Sequence, residues 1–323
     1  MKAMTQDRYG SADVLVLDDL AMPVVGDDEL LIRVHAAGVG PDVWHLMTGL
    51  PYFVRLMGLG LRKPKARVPG WDVAGSVETV GKDVTDFQPG DEVFGTCRGS
   101  FAEFASARPE TLAAKPANLT FEQAAGVPVS GCTALHGLRD EGELQAGQTA
   151  LIIGASGGVG TFAIQLAKVF GAHVTGVCST TKVDLVRSLG ADDVIDYTRE
   201  DFTDGRQRYE LILDTAGRRP LSHLRRALTP KGTLVIVGGE GGGRLTGGFE
   251  RQLRAALLSP FVGQRLRAVM STARQEDLRY LKDVIEAGEV TPVISKTYPL
   301  AEAAKALSDA DEGHGRGKTV ITV

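Results

Sequence analysis

The sequence predicts an α/β chain in which a β-rich, barrel-like unit precedes a parallel, doubly wound sheet. Three observations lead there. At 323 residues the chain exceeds what one hydrophobic core normally organises, so two domains are expected. Near Thr120 the texture changes from short apolar runs between turns to an alternation of strand-length and helix-length segments. Between one such strand and helix lies a glycine-rich turn, Gly154-Ala155-Ser156-Gly157-Gly158-Val159-Gly160.

Strands are expected at Val14–Leu17, Glu29–Val34 and Val73–Val80. The turn Pro89-Gly90-Asp91 introduces Glu92–Phe94, and Phe101–Ala105 alternates at period two. Thr120 begins a helix as N-cap, with Gln123 placed to complete a capping box. Strands then fall at Thr149–Ile153, His173–Cys178, Val194–Asp196, Glu210–Leu213, Thr233–Val237 and Arg265–Met270. Helices fall between them at Thr161–Phe170, Lys182–Leu189 and Leu221–Leu228, with another at Glu276–Ala287, and Gly171, Gly190 and Gly288 stand as stops. After a short helix at Leu300–Ser308, the last strand, Lys318–Val323, is expected to return to the first domain. The expected division is 1–125 with 290–323, and 126–289.

Composition narrows the function. The net charge of -4 offers no basic footprint for nucleic acid. No apolar run reaches about 18 residues, so no membrane partner is expected, and the N-terminus lacks a signal-peptide core. Cys97, Cys132 and Cys178 show neither zinc-ligand spacing nor a disulfide framework, which suits a reducing, cytoplasmic setting.

The glycine turn carries the chemistry. It fits a dinucleotide fingerprint as Ala155-x-Gly157-x-x-Gly160, with alanine at the first position. Gly157 admits a pyrophosphate against the backbone, Gly160 lets the helix approach the strand, and the N–H groups of Gly158 and Val159 at the helix start hold the anion. An NAD site usually places a carboxylate about 20 residues further on. Here the second strand ends in Cys178-Ser179-Thr180-Thr181-Lys182, with no acid before Asp184. Hydroxyls and an amine attract a 2′-phosphate, so NADPH is the expected cofactor. Lys182 also reads as an ordinary solvated lysine at a helix start.

Taken with Pro89-Gly90-Asp91-Glu92-Val93, Gly99–Phe104, Ile195-Asp196-Tyr197 and Gly315–Ile321, this motif resembles the zinc-independent NADPH:quinone oxidoreductases of the medium-chain dehydrogenase/reductase superfamily. The resemblance covers essentially the whole chain. It implies a GroES-like barrel, a Rossmann domain, a cleft between them and a homodimer, with Arg265–Met270 as the candidate edge strand. It places Ser179, Lys182 and Tyr197 around the 2′-phosphate, Thr133 near the nicotinamide, and Gly238 and Gly239 where backbone passes the nicotinamide. Arg316 reaches the cofactor from the first domain or is a surface charge, and Tyr197 is a packing residue if it is not a ligand.

Zinc-containing relatives carry Gly-His-Glu where this chain reads Gly70-Trp71-Asp72, and their four-cysteine lobe is absent, so no metal is expected. His35, His45 and His136 lack helical ligand spacing. Many zinc-free members carry Val-Asn-Pro-x-Asp; here Val39-Gly40-Pro41-Asp42-Val43-Trp44-His45 lacks both the asparagine and that aspartate. Asp42, Trp44 and His45 are the candidates to compensate.

The implied reaction is hydride transfer from NADPH to a small molecule, a quinone or an activated alkene or carbonyl. The following proton comes from solvent or from Tyr52, which reads more naturally as a pocket wall. Leu50–Leu61 is either a lid or a buried or dimer-contact segment. The competing readings are an NADPH-binding sensor or structural protein without turnover, and an alcohol dehydrogenase-like enzyme.

Overall fold

A computed structural model of the chain describes residues 1–204, 207–238, 243–311 and 316–323. It forms two compact units: Met1–Cys132 with Thr272–Gly288 and Pro292–Val323, and Thr133–Ser271 with Glu289–Thr291.

The first unit contains β1 (Lys2–Thr5), β2 (Val16–Asp19), β3 (Leu30–Val39), α1 (Pro41–Thr48), α2 (Tyr52–Val54), β4 (Asp72–Val80), β5 (Glu92–Thr96), β6 (Phe104–Ala107), β7 (Leu112–Ala114) and α3 (Phe121–Ala125). The helix α4 (Pro128–Leu135) then leads into the second unit. Strands β1 and β2 pair with each other, while the other strands join a seven-stranded sheet around β3. The ten residues of β3 bond to β4 on one side, and to β6 and then the C-terminal strand along the other. Leu30, Ile32, Val34, Val73, Val77, Val93 and Leu112 form one of its cores. The predicted capping box is present at α3: Gln123 N–H donates to Thr120 Oγ1 at 3.3 Å, and Thr120 N–H donates to Gln123 Oε1 at 3.0 Å.

The second unit has β8 (Thr149–Ile153), α5 (Gly158–Val169), β9 (His173–Cys178), α6 (Val183–Ser188), β10 (Asp193–Asp196), β11 (Tyr209–Asp214), α7 (Leu221–Arg226), β12 (Leu228–Ile236), α8 (Phe249–Leu258) and β13 (Arg265–Ala268). All six strands run parallel in the order β10-β9-β8-β11-β12-β13. This is the doubly wound order whose reversal beside β8 creates a ligand crevice at the C-terminal strand ends. The α/β class with a parallel sheet is therefore as predicted.

The chain finishes in the first unit with α9 (Gln275–Glu286), β14 (Ile294–Pro299), α10 (Ala303–Asp311) and β15 (Lys318–Thr322). Strand β15 lies between β14, its parallel neighbour, and β3, to which it is antiparallel.

Some local expectations differ. Val14–Leu17 is not one strand: Ala12–Val14 is a 3-10 turn that sends Val14 and Leu15 into the core, leaving Val16 and Leu17 exposed on β2. Four consecutive apolar residues cannot share one face of a strand, and the turn resolves that conflict. Phe101 precedes its strand, fully buried, and regular pairing starts at Phe104. Sequence periodicity did not show α1, α4 or α8, or the strand β14.

The first unit also buries a charge pair. Lys318 Nζ on β15 lies 3.1 Å from Asp72 Oδ2 on β4, with side chains 5% and 2% exposed. Asp72 Oδ1 accepts the Val129 N–H in the first turn of α4 at 2.9 Å, so one carboxylate joins two strands to a helix start. Asp72→Asn is expected to lower the unfolding free energy by about 3–5 kcal/mol, because it strands a buried ammonium. Urea denaturation measures this, and adding Lys318→Met should recover most of the loss.

Candidate cofactor and active site

The fully buried centre of β8 gives way at Ile153 to Gly154, whose φ of +78° suits glycine. A side chain there would meet Thr215 Oγ1 at 2.4 Å. The chain turns through buried Ala155 and Ser156 to Gly157, the N-cap of α5. At Gly160 an added Cβ would lie 2.1 Å from the Gly154 carbonyl oxygen, so only glycine lets the helix come this close to the strand end. Gly157 is different: its only close neighbour would be the Gly154 carbonyl, at 3.3 Å. The first bond to the helix start runs from Thr161 N–H to the Gly157 carbonyl. The helix itself therefore leaves the N–H groups of Gly158, Val159 and Gly160 unused. An open backbone face beside unused N–H groups at a twelve-residue helix start fits a pyrophosphate.

Beside this turn, β9 ends at Cys178 and Ser179 opens a 3-10 turn through Lys182. Tyr197 N–H donates to the Cys178 carbonyl at 3.1 Å, which brings exposed Tyr197 to the same rim. The rim also holds a carboxylate, contributed by the third strand of this sheet in sequence order and not by the second. Asp196 ends β10 directly opposite Cys178 in register. Its Oδ2 accepts from Thr180 Oγ1 at 2.5 Å, and its Oδ1 accepts from Thr198 N–H and Oγ1 at 3.0 and 2.7 Å. The Thr180 and Thr198 hydroxyls hold its carboxyl below the usual range. Thr180 thus serves Asp196, leaving Ser179, Thr181 and Lys182 as the rim beyond it. Burial, helped by Asp196 and opposed by Lys182, raises the Cys178 thiol to about 11.

Beyond β11, Asp214 Oδ1 accepts the N–H groups of Ala216 and Gly217 at 3.2 and 3.0 Å, while Arg251 on α8 pairs with Oδ2. Gly238 follows β12, and a Cβ there would stand 3.2 Å from the Thr215 carbonyl oxygen. Backbone therefore passes closely here. Gly239 lies outside the described residues. Thr133 is buried in α4.

In the first unit, Asp42 stands in the first turn of α1 with its Oδ1 turned toward Gly40. A Cβ at position 40 would lie 2.4 Å from that oxygen and 3.4 Å from Lys318 Nζ. Asp42 thus fills the space beside Gly40, and Val43 is fully buried in the core. Burial raises the Asp42 carboxyl, with Lys318 opposing. Burial also pushes the Asp72 carboxyl up to about 6, again against Lys318. His45 Nδ1 meets the Leu50 carbonyl at 2.5 Å, and Trp44 packs edge-on to its ring. Tyr52 is 41% exposed, with the Arg55 guanidinium 4.7 Å from its ring centre. Arg316 is exposed just before β15.

Comparison with known proteins decides the family. Residues 26–135 match the model of the alcohol dehydrogenase GroES-like domain, and residues 189–321 match that of the zinc-binding dehydrogenases. A mouse mitochondrial NAD(P)H oxidoreductase is 35% identical over all of this chain and 89% of its own length. A chloroplastic NADPH-dependent alkenal/one oxidoreductase of Arabidopsis thaliana is 35% identical over 99% of this chain and 79% of its own. The solved quinone oxidoreductase of Coxiella burnetii superposes with a TM-score of 0.85 at 30% identity, covering 100% of this chain and 99% of that one. The chain is a medium-chain dehydrogenase/reductase.

As a member of that family it is an NAD(P)H-dependent oxidoreductase with a GroES-like domain and a Rossmann domain. The Rossmann domain gathers Ala155, Gly157, Gly158, Val159, Ser179, Lys182, Tyr197 and Gly238 at the C-terminal ends of its strands, whereas Tyr52 and Arg316 belong to the GroES-like domain. The zinc named in one matching family does not suit the residues at Gly70-Trp71-Asp72. Trp71 offers no ligand, and Asp72 is taken up by Lys318 and Val129. Burial and the Asp72 charge push the Cys97 thiol far up, away from the thiolate a metal needs. Among the described residues no three His, Cys, Asp or Glu side chains converge as a metal set.

Gly160→Ala is expected to destabilise the protein by about 1–3 kcal/mol in chemical denaturation, because the new methyl has no room. Gly157→Ala should unfold like the parent chain while weakening cofactor binding, which fluorescence titration with a reduced nicotinamide dinucleotide reads directly.

Proposed function

We propose that this protein uses NADPH, without zinc, to reduce a quinone or an activated alkene or carbonyl in a reducing cytoplasmic compartment. The observation that carries the cofactor choice is the rim after β9: Ser179, Thr181 and Lys182 line the turn, while a neighbouring carboxylate, Asp196, already has both oxygens hydrogen-bonded. A carboxylate in that condition is a poor partner for ribose hydroxyls, and a lysine beside it favours a phosphate. The Arabidopsis relative's name supports both NADPH and an alkenal or alkenone acceptor, and the Coxiella neighbour's supports a quinone. Three buried cysteines without disulfides suit the compartment.

When bound, NADPH supplies a hydride. The N–H groups of Gly158 and Val159 would hold its pyrophosphate, Lys182 and Ser179 would take the 2′-phosphate, and Tyr197 would flank the adenosine. Thr133 would orient the carboxamide end, the lack of a side chain at Gly238 would leave room for the ring, and Arg316 is a further candidate cation. Reduction of a quinone yields an aromatic product and does not require a Lewis acid, which fits a donor set without zinc ligands. The proton comes from solvent. Tyr52, stacked under Arg55, serves as wall rather than acid.

Following the nicotinamide absorbance with phenanthrenequinone and an alkenone should show NADPH consumed. Lys182→Ala should raise KM for NADPH about tenfold or more while changing that for NADH little, the scale of one charge-assisted contact. Tight NADPH binding with no turnover on any acceptor would instead mark a sensor, and equal losses with both cofactors would remove Lys182 from the phosphate site.

The partner we propose is a second copy, joined along β13. That strand pairs only with β12, so its outer edge is open among the described residues. Helix α8, which packs on β13, exposes Phe249, Leu253 and Leu257 at four-residue spacing, and Phe261 follows at 84% exposure. Light scattering should give a dimer mass, and Leu253→Glu with Leu257→Glu should give a monomer.

A further inference from the structure

The segment after α2 is not explained by cofactor binding or catalysis. Arg55–Leu59 forms a wide turn kinked at Gly58, whose φ is +119°, and closed by Gly60 N–H donating to the Arg55 carbonyl at 3.3 Å. Lys65 N–H then donates back to the Leu59 carbonyl at 2.9 Å, closing residues 60–64 into a small loop. Gly60 makes the turn possible: its φ is +109°, and a Cβ would lie 2.2 Å from the Lys63 carbonyl oxygen. The base of the loop is held firmly. The Tyr9 hydroxyl, with its one proton, lies 2.8 and 2.7 Å from the Leu59 and Gly60 carbonyls and is shared between them. Arg55 Nε donates to the Gly49 carbonyl at 2.8 Å, with its guanidinium over both Tyr9 and Tyr52.

Leu56 and Leu61 are 76% and 65% exposed at the edges of this loop. Arg62, Lys63 and Lys65 are also exposed, and among the described residues no carboxylate pairs with them. Nearby Arg67, by contrast, is paired with both Asp7 and Asp18. Residues 56–65 therefore carry three exposed cations without a carboxylate partner among the described residues and two exposed leucines, on a chain whose net charge is -4.

We propose that this loop docks the protein on an anionic phospholipid bilayer, Leu56 and Leu61 entering the interface while Arg62, Lys63 and Lys65 meet the headgroups. Leucines alone would suit any apolar partner, and lysines alone any polyanion. The pairing of the two on one short, pre-closed loop matches a surface that is charged outside and apolar immediately beneath. The absence of a helix long and apolar enough to cross a membrane, among the described residues, is a separate matter, because surface docking needs no span. Docking would bring the protein to lipid-dissolved acceptors, yet it does not depend on which acceptor is reduced.

Vesicle flotation tests this without cofactor or acceptor, so its failure would leave the proposed reaction untouched. The protein should float with vesicles of equal phosphatidylcholine and phosphatidylglycerol, stay behind with phosphatidylcholine alone, and be released by salt. Replacing Arg62, Lys63 and Lys65 together by Glu should lower the bound fraction about tenfold or more. Leu56→Ser with Leu61→Ser should weaken binding at low salt too, and unchanged melting curves should show that both variants are folded. Absence of flotation with the anionic vesicles overturns the proposal. So does equal flotation of the charge-reversed variant. Retention on heparin with no effect of the leucine changes would assign the loop to a soluble polyanion and equally overturn it.

Discussion

The Rossmann domain depends on one close contact, between the first turn of α5 and the end of β8. Gly160 sits against the Gly154 carbonyl with no room for a methyl group, and Gly154 adopts a backbone angle that side chains disfavour. That contact aims the unused N–H groups at the crevice beside β8. Within the turn between β8 and α5, Ala155 N–H donates to the Val177 carbonyl at 3.1 Å, which ties the turn to β9 and so to the rim at Ser179. Loosening this one backbone approach would therefore disturb the open helix start and the rim at Ser179 together.

Buried charge is used sparingly, at element junctions. Asp72 with Lys318 binds β4, β15 and the start of α4. Asp214 with Arg251 ties the end of β11 to α8. Asp196 bridges Thr180 and Thr198 where β9 and β10 end. Each carboxylate receives N–H or O–H donors as well as, or in place of, a cation, which offsets the desolvation that burial imposes. Asp72 of Gly70-Trp71-Asp72, the stretch without a histidine, is held by Lys318. The local chemistry there is an internal salt bridge.

Much of this was legible in the residues. The alternation of apolar strands with helices stopped by glycine foretold the parallel sheet, because a βαβ unit must bury both faces of its strands. The capping box at Thr120 and Gln123, and the small residues from Gly154 to Gly160, were visible because their chemistry is local in sequence. Helix α8 was not: its exposed Phe249, Leu253 and Leu257 follow a glycine-rich run and face away from the core, so they read as loop. The 3-10 turn at Ala12 was equally hidden, since four apolar residues in a row look the same whether they form a strand or turn inward.

What the order of residues decided on its own is the class of fold, the position of the glycine-rich turn between β8 and α5, and the kind of side chain following the second strand. All three rest on interactions within a few residues or on a repeating period. Three-dimensional packing alone decided that Asp196 stands at that same rim, that Lys318 meets Asp72 across 246 residues, and that Asp42 fills the space beside Gly40. Those contacts join elements distant in the chain, and no local pattern encodes which distant donor will saturate a carboxylate, because strand order and register first have to bring the two together.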